Sequence, residues 1–181
     1  MSQFMTRSLA ASAAALMLAV SAPAGAEDLA DYVEMFDPLP ALPPIPADSP
    51  MTAERIDLGR MLFFEPRISA SGVISCATCH NPALGWTDRI PRATGHDGQV
   101  GDRNTPTVLN AGFLRAQFWD GRAPDLEGQA LGPIEADIEM NMSLDDAITR
   151  LNEFLVYRDA FAAAFPGEED PVTPRNVALA I

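Results

Sequence analysis

Cys76-Ala77-Thr78-Cys79-His80 is the stretch on which the reading of this chain turns. Two cysteines three apart, followed at once by a histidine, match the attachment pattern of a c-type haem. From a single helical turn both thiols reach the two vinyl groups of one porphyrin, and His80 then offers its imidazole to the iron as the proximal ligand. These are the chain's only cysteines, and His80 is one of two histidines. Two rivals stay open at this point. In an oxidising compartment the pair could form a structural or redox-active disulfide, although the βαβ pattern of a thioredoxin-like site is missing around Ser71 to Leu84. Zinc could draw on Cys76, Cys79, His80 and His96, but adjacent ligands such as Cys79 and His80 strain the backbone around a tetrahedral ion.

Residues 1–26 read as a secretory signal. Arg7 gives the positive start, Leu9 to Val20 the apolar run, and Ala24-Gly25-Ala26 a small-residue cleavage site before Glu27. The run falls short of the roughly 20 residues a spanning helix needs. The expectation is therefore an exported protein, placed in the periplasm and free of the membrane after cleavage. Asp and Glu number 25 against 12 basic residues, all arginine, for a net charge of -13. No basic stripe marks a nucleic-acid partner, while the acidic surplus suits a basic one. Residues 27–50 form a proline-rich arm, with Pro38, Pro40, Pro43, Pro44, Pro46 and Pro50, read as a strap over the domain surface.

The haem domain is expected over 51–172. Thr52 caps a helix that must stop near Phe64, because Pro66 disfavours helix at the residue before it. Residues 81–112 are rich in Gly, Pro, Asn and Asp and show no sustained period. A loop of that length is unusual inside a compact domain unless it wraps a porphyrin. His96 lies within it. As the only other imidazole it is the candidate sixth ligand, against the plain alternative of a solvated loop residue. Its glycine neighbours suit a loop that swings the imidazole off the iron. Trp119, in Phe118-Trp119-Asp120-Gly121-Arg122, is either core packing or an electron path. Leu126 to Leu131 reads as a short helix ended by Gly132-Pro133. Met140 and Met142 could ligate iron, though methionine more often fills gaps in cores. Ser143 caps the clearest helix, with Asp146 as its capping partner and Ala147, Ile148, Leu151 and Leu155 as its apolar stripe. A second helical piece spans 157–165. Thr173-Pro174 then starts a helix over 173–181, expected to lead to a further domain absent from this sequence. The predicted fold is mostly α, a cytochrome c-like haem domain with long irregular loops.

From about Leu58 to Ile181 the sequence resembles the N-terminal haem domain of the bacterial di-haem cytochrome c peroxidases, the family that also holds the MauG-type proteins. The resemblance is carried by Leu58-Gly59-Arg60-Met61-Leu62-Phe63-Phe64, Ser75 to His80, Gly101 to Asn110, and Gln117 to Pro124, in that order. It implies covalent haem c on Cys76 and Cys79, His80 proximal, and His96 as a distal ligand that leaves the iron on activation. It also implies Gln129 and Glu139 as the peroxide-pocket glutamine and acid, Trp119 between two haems, and Asn104 near a calcium ion. The implied activity is reduction of hydrogen peroxide, with electrons from a small donor protein, a cytochrome c or a cupredoxin, and a second haem in the missing domain. A homodimer is compatible with the family. Two other readings are a bis-histidine mono-haem electron carrier and a MauG-like enzyme that oxidises a partner protein. In the latter members the peroxide-binding haem lacks a distal histidine, so His96 argues against that reading.

Overall fold

Six α-helices and four short 3-10 turns carry the described chain beyond residue 50. They are α1 (Ala53–Phe63), α2 (Cys76–Cys79), α3 (Leu126–Glu135), α4 (Leu144–Asn152), α5 (Leu155–Ala164) and α6 (Pro174–Ala180). The computed structural model describes residues 32, 36–46 and 49–181. The signal read over 1–26 lies outside the described residues. The chain divides after Pro40. In the second unit, the Pro43 ring abuts Gly112, where an added Cβ would stand 2.9 Å away. Among the described residues no helix is long and apolar enough to cross a membrane. Among the described residues extended pairing is confined to two isolated antiparallel bridges, Thr94 with Val100 and Gln117 with Ala123. The fold is mostly α, as expected.

Side-chain caps set the helix starts. Thr52 accepts from the Arg55 amide at 3.2 Å, Ser143 from Asp146 at 3.1 Å, and Thr173 from Asn176 at 3.2 Å. Each satisfies an amide the helix itself leaves without a partner. α1 buries Leu58 and Leu62, and Gly59 lets α6 approach so closely that a Cβ there would overlap the Ala180 carbonyl.

Two boundaries differ from the sequence reading. α3 does not stop at Gly132-Pro133 but runs to Glu135 with Pro133 inside it. Gly132 serves close packing instead: an added Cβ would lie 3.1 Å from the Phe118 ring. The turn beyond is held by bonds from outside, Met140 N–H to Pro133 O at 3.2 Å and Met142 N–H to Ile134 O at 2.8 Å. Leu155 is not part of the buried stripe of α4. That helix ends at Asn152, a new one begins at Leu155, and the side chain is 63% exposed.

The apolar core is built from α1, α3, α4, α5 and α6 with Ile68, Met140, Met142 and Val172. Both methionines are buried in the core. Residues 75–125 contribute nothing to this cluster. That segment is packed on the helices without an apolar core of its own.

A carboxylate penetrates the helical core. Glu65 is 4% exposed, accepts from Tyr157 Oη at 2.6 Å, and is gripped by Arg67. The Arg67 guanidinium in turn stacks 3.9 Å above the Phe154 ring. Burial by itself pushes the Glu65 carboxyl up, but the hydrogen bonds from Arg67 and Tyr157 outweigh it and hold the group below its ordinary value. A folded value below the unfolded one gives stability that is complete above the unfolded value, roughly 4.3, and is lost as pH falls through the folded value. Replacing Glu65 with Gln should cost about 1–3 kcal/mol at neutral pH, since it weakens the pairing of groups that stay buried. Denaturant melts as a function of pH check this: the wild type should lose stability more steeply than E65Q below roughly pH 4.

Candidate functional site

The Cys-x-x-Cys-His stretch folds as a single helical turn. The Ser75 amide donates to Thr78 Oγ1 at 2.9 Å, and the His80 amide closes on the Cys76 carbonyl at 2.8 Å. Both thiols therefore project from α2, with His80 immediately after it. The two cysteines are free thiols, and burial pushes each of them up to about 11. A redox-active pair needs a thiol that ionises easily, which these environments oppose. Among the described residues no three His, Cys, Asp or Glu side chains converge to hold a metal ion, so the zinc alternative lacks its geometry.

His80 is oriented by backbone. Its Nδ1 lies 3.0 Å from the Pro106 carbonyl and 3.4 Å from that of Trp86. Donation from Nδ1–H leaves the Nε2 lone pair for a metal. Hydroxyl bonds pin that Pro106 segment in place. Thr87 reaches the Thr105 carbonyl at 2.7 Å, Thr105 reaches Asp88 at 2.8 Å, and Thr107 reaches Gly85 at 2.7 Å. Phe63 of α1 sits beside the His80 ring at 6.3 Å and meets Trp86 edge-on at 5.8 Å.

The second histidine is brought in by the turn that ends the Thr94–Val100 bridge. The Cys79 thiol lies 3.9 Å from the Thr94 carbonyl, so this turn borders the thiol pair. His96 Nδ1 is buried and has no hydrogen-bond partner among the described residues, an arrangement that carries a desolvation cost unless something else takes it up. The His96 amide donates to the Glu139 carbonyl at 2.8 Å. Gly95 has a different purpose from the swinging loop expected of it. An added Cβ would come within 2.2 Å of the Ile138 carbonyl and 2.7 Å of the Glu139 carbonyl. This glycine permits a close approach of two backbones. Gly98, at φ 75°, supplies the turn and has open space around it.

Glu139 is thus joined to His96 through its main chain. Burial pushes its carboxyl above the ordinary value, with Arg122 pulling the other way. Its charge in turn helps to raise both cysteine thiols, which places the carboxyl within electrostatic range of the pair. Gln129 lies on the second turn of α3, and its side-chain amide makes no hydrogen bond among the described residues. Trp119 and Asn104 are brought together: Trp119 Nε1–H donates to the Asn104 carbonyl at 2.8 Å. Trp119 is 63% exposed, so it is not core packing, and the Asn104 side chain donates to the Ile90 carbonyl.

Sequence reasoning overlooked three groups. Gln99 donates from its side chain to the Asp137 carbonyl at 3.1 Å, adding a second tie between the His96 turn and the Glu139 loop. Arg122 lies 3.4 Å above the Phe118 ring and 3.0 Å from Asp120, within reach of Glu139's charge. Asp97 stands 3.2 Å from His96 Nε2. Only the Phe-Trp-Asp-Gly-Arg run gave any signal, through the arginine two residues after the aspartate.

These residues fit a covalent haem c. Two thiols share one turn, an imidazole behind them has Nε2 free, and a second imidazole carries an orphaned buried nitrogen. Leu84, Ile90, Val100, Leu109, Leu114 and Trp119 are exposed apolar side chains within the coreless segment, suited to an apolar ligand.

A family model described as di-haem cytochrome c peroxidase matches residues 53–181. The chain belongs to this family. Cytochrome c551 peroxidase of Pseudomonas aeruginosa is 44% identical over 168 residues, 92% of this chain and 49% of that protein. Methylamine utilization protein MauG of Methylorubrum extorquens is 46% identical over 161 residues, 89% of this chain and 45% of that protein. The crystal structure of a MauG-like protein associated with microbial copper homeostasis aligns with TM-score 0.73 at 33% identity, over 79% of this chain and 43% of that one. The chain spans about half the length of the curated relatives it matches.

The two glycines of the His96 turn separate experimentally. Gly95→Ala meets backbone at 2.2 Å and should destabilise the haem-loaded protein by more than about 2 kcal/mol, while changing the spectrum of the haem beside it. Gly98→Ala meets only its positive φ and should cost about 1–2 kcal/mol with the spectrum unchanged. Thermal melts and absorption spectra of both variants check the contrast.

Proposed function

We propose that this chain is the peroxide-reducing haem domain of a bacterial di-haem cytochrome c peroxidase acting in the periplasm. Cys76 and Cys79 hold haem c, His80 is its proximal ligand and His96 the distal ligand of the resting state. When bound, the haem supplies the iron at which hydrogen peroxide is reduced to water. The observation that carries the reading is the pairing of His96 and Glu139. One backbone hydrogen bond of 2.8 Å fastens the candidate distal imidazole to the residue whose half-buried carboxyl is pushed above its ordinary value by desolvation.

The residues divide the work as follows. Heterolysis of the O–O bond needs a proton carried from one peroxide oxygen to the other. Glu139 carries it, and its raised proton affinity suits a group that must both take up and release a proton. Gln129 orients peroxide by donating from its amide. Pro106 and Trp86 hold His80 in the tautomer that ligates through Nε2. Trp119 is exposed and lies against Asn104, which suits an electron path towards a second haem and a neighbouring calcium ion. That second haem belongs to a domain outside this sequence, and electrons reach it from a cytochrome c or a cupredoxin. The acidic surface of the chain, at net charge -13, favours a donor that presents a basic face. In this reading residues 1–26 are the export signal, 27–50 the arm, 51–172 the haem domain, and 173–181 the lead into the second domain.

A MauG-like, protein-oxidising enzyme is the second reading, favoured by the 46% identity to the MauG protein of Methylorubrum extorquens. His96 speaks for the peroxidase. In the complete haem-loaded protein, Glu139→Gln should lower kcat for peroxide reduction roughly 10²–10⁴-fold with haem content unchanged. Steady-state turnover with a reduced donor protein measures it, and turnover at the wild-type rate would take Glu139 out of the mechanism.

A further inference from the structure

Asp120 and Arg103 have no part in the mechanism above, yet both stand beside Trp119. The turn that carries Trp119 is closed by Gln117 N–H to Ala123 O at 2.8 Å and by Gly121 N–H to Phe118 O at 3.2 Å. Phe118 stands at φ 66° within it, a left-handed conformation that a bulky residue keeps only when its surroundings impose it.

Those surroundings act from two sides. On one side, successive residues of the turn reach successive residues of a distant segment, in reverse order. Trp119 Nε1–H donates to the Asn104 carbonyl at 2.8 Å, and Asp120 Oδ2 lies 3.0 Å from the Arg103 guanidinium. That segment is itself held, since the Arg103 carbonyl accepts from the Ala93 amide at 3.2 Å. On the other side, Asp120 Oδ1 accepts from Arg122 at 3.0 Å. The Arg122 guanidinium covers the Phe118 ring, and that ring packs on Gly132 of α3. The two oxygens of one carboxylate thus link the 103–104 segment to an aromatic ring seated on a core helix. A lone surface hydrogen bond competes with water and favours one side-chain position only a fewfold, so the exposed indole needs its turn held in register with Asn104. The Asp120–Arg103 pair is itself half exposed and adds little to stability. What it fixes is direction.

We propose that Asp120 is a positioning residue for the electron path: its carboxylate, divided between Arg103 and Arg122, holds the turn so that the Trp119 indole stays on the Asn104 carbonyl. This rests on Trp119 being the electron path towards a second haem, as proposed above.

The test uses the complete haem-loaded protein and two readouts. The indole Nε1–H signal that disappears in Trp119→Phe, followed by NMR on isotope-labelled tryptophan, reports how fast that group exchanges with solvent. Stopped-flow mixing of the fully reduced protein with hydrogen peroxide reports how fast the second haem is oxidised. In Asp120→Ala, exchange should quicken and electron transfer should slow, each about three- to tenfold, with the KM for peroxide and the haem spectrum unchanged. Asp120→Asn keeps the size and stands in if the alanine variant loses haem, and Asp120→Glu, which keeps the charge, should recover most of the loss. Trp119→Phe should slow transfer too, and adding Asp120→Ala to it should slow it no further. Wild-type transfer in both Asp120→Ala and Asp120→Asn, with Trp119→Phe slow, would overturn the role of Asp120 and leave the electron path standing. An Asp120→Ala defect that persists without Trp119 would overturn that role as well. If Trp119→Phe transferred electrons at the wild-type rate, the electron-path reading beneath the proposal would be the one to fall.

Discussion

The main chain of residues 137–140 is where the irregular half of the molecule is fastened to the helical half. On one side the Glu139 carbonyl accepts from His96 at 2.8 Å, the Asp137 carbonyl accepts from Gln99 at 3.1 Å, and Gly95 packs without room for a side chain. On the other side, Met140 donates to Pro133 at 3.2 Å and accepts from Ala70 at 2.9 Å. The Met140 side chain is buried in the helical core. Whatever positions the candidate distal histidine also positions the candidate acid, because four consecutive residues serve both.

Glu65 and Glu139 show how environment assigns different tasks to one side chain. Glu65 is surrounded by Arg67 and Tyr157, and its carboxyl is held below its ordinary value. It stays charged and joins α1 to α5. Glu139 is also desolvated, but its cationic neighbour Arg122 acts only through space, and its carboxyl is pushed up. A carboxyl with hydrogen-bonding partners for its charge becomes structural, and one without them is left ready to exchange protons.

The sequence was most legible where local chemistry decides the outcome. Thr52, Ser143 and Thr173 cap helices in the structure, because a capping hydroxyl acts within three residues of itself. The Cys76–His80 turn and its family were readable for the same reason: the motif is contiguous. Misreadings came where distant packing decides. Gly132-Pro133 carries a stop signal, yet α3 continues because Phe118 needs Gly132 and the Met140–Met142 segment holds the last turn. Gly95 beside His96 suggested a hinge, but its lack of a side chain serves an approach to Glu139, more than forty residues away. The ties from Gln99 and the contact of Asp97 depend on that folded turn and leave no periodic or compositional trace.

Residues 75–125, which add nothing to the apolar core, are expected to depend on a bound porphyrin for their order, while the helices of that core do not. Native-state hydrogen exchange measures this directly, comparing the haem-loaded protein with a Cys76→Ala, Cys79→Ala variant that cannot attach haem. The expected result is loss of amide protection throughout 75–125 in the variant, with protection in α1 and α3 to α6 largely retained. Equal protection of 75–125 with and without haem would contradict this dependence.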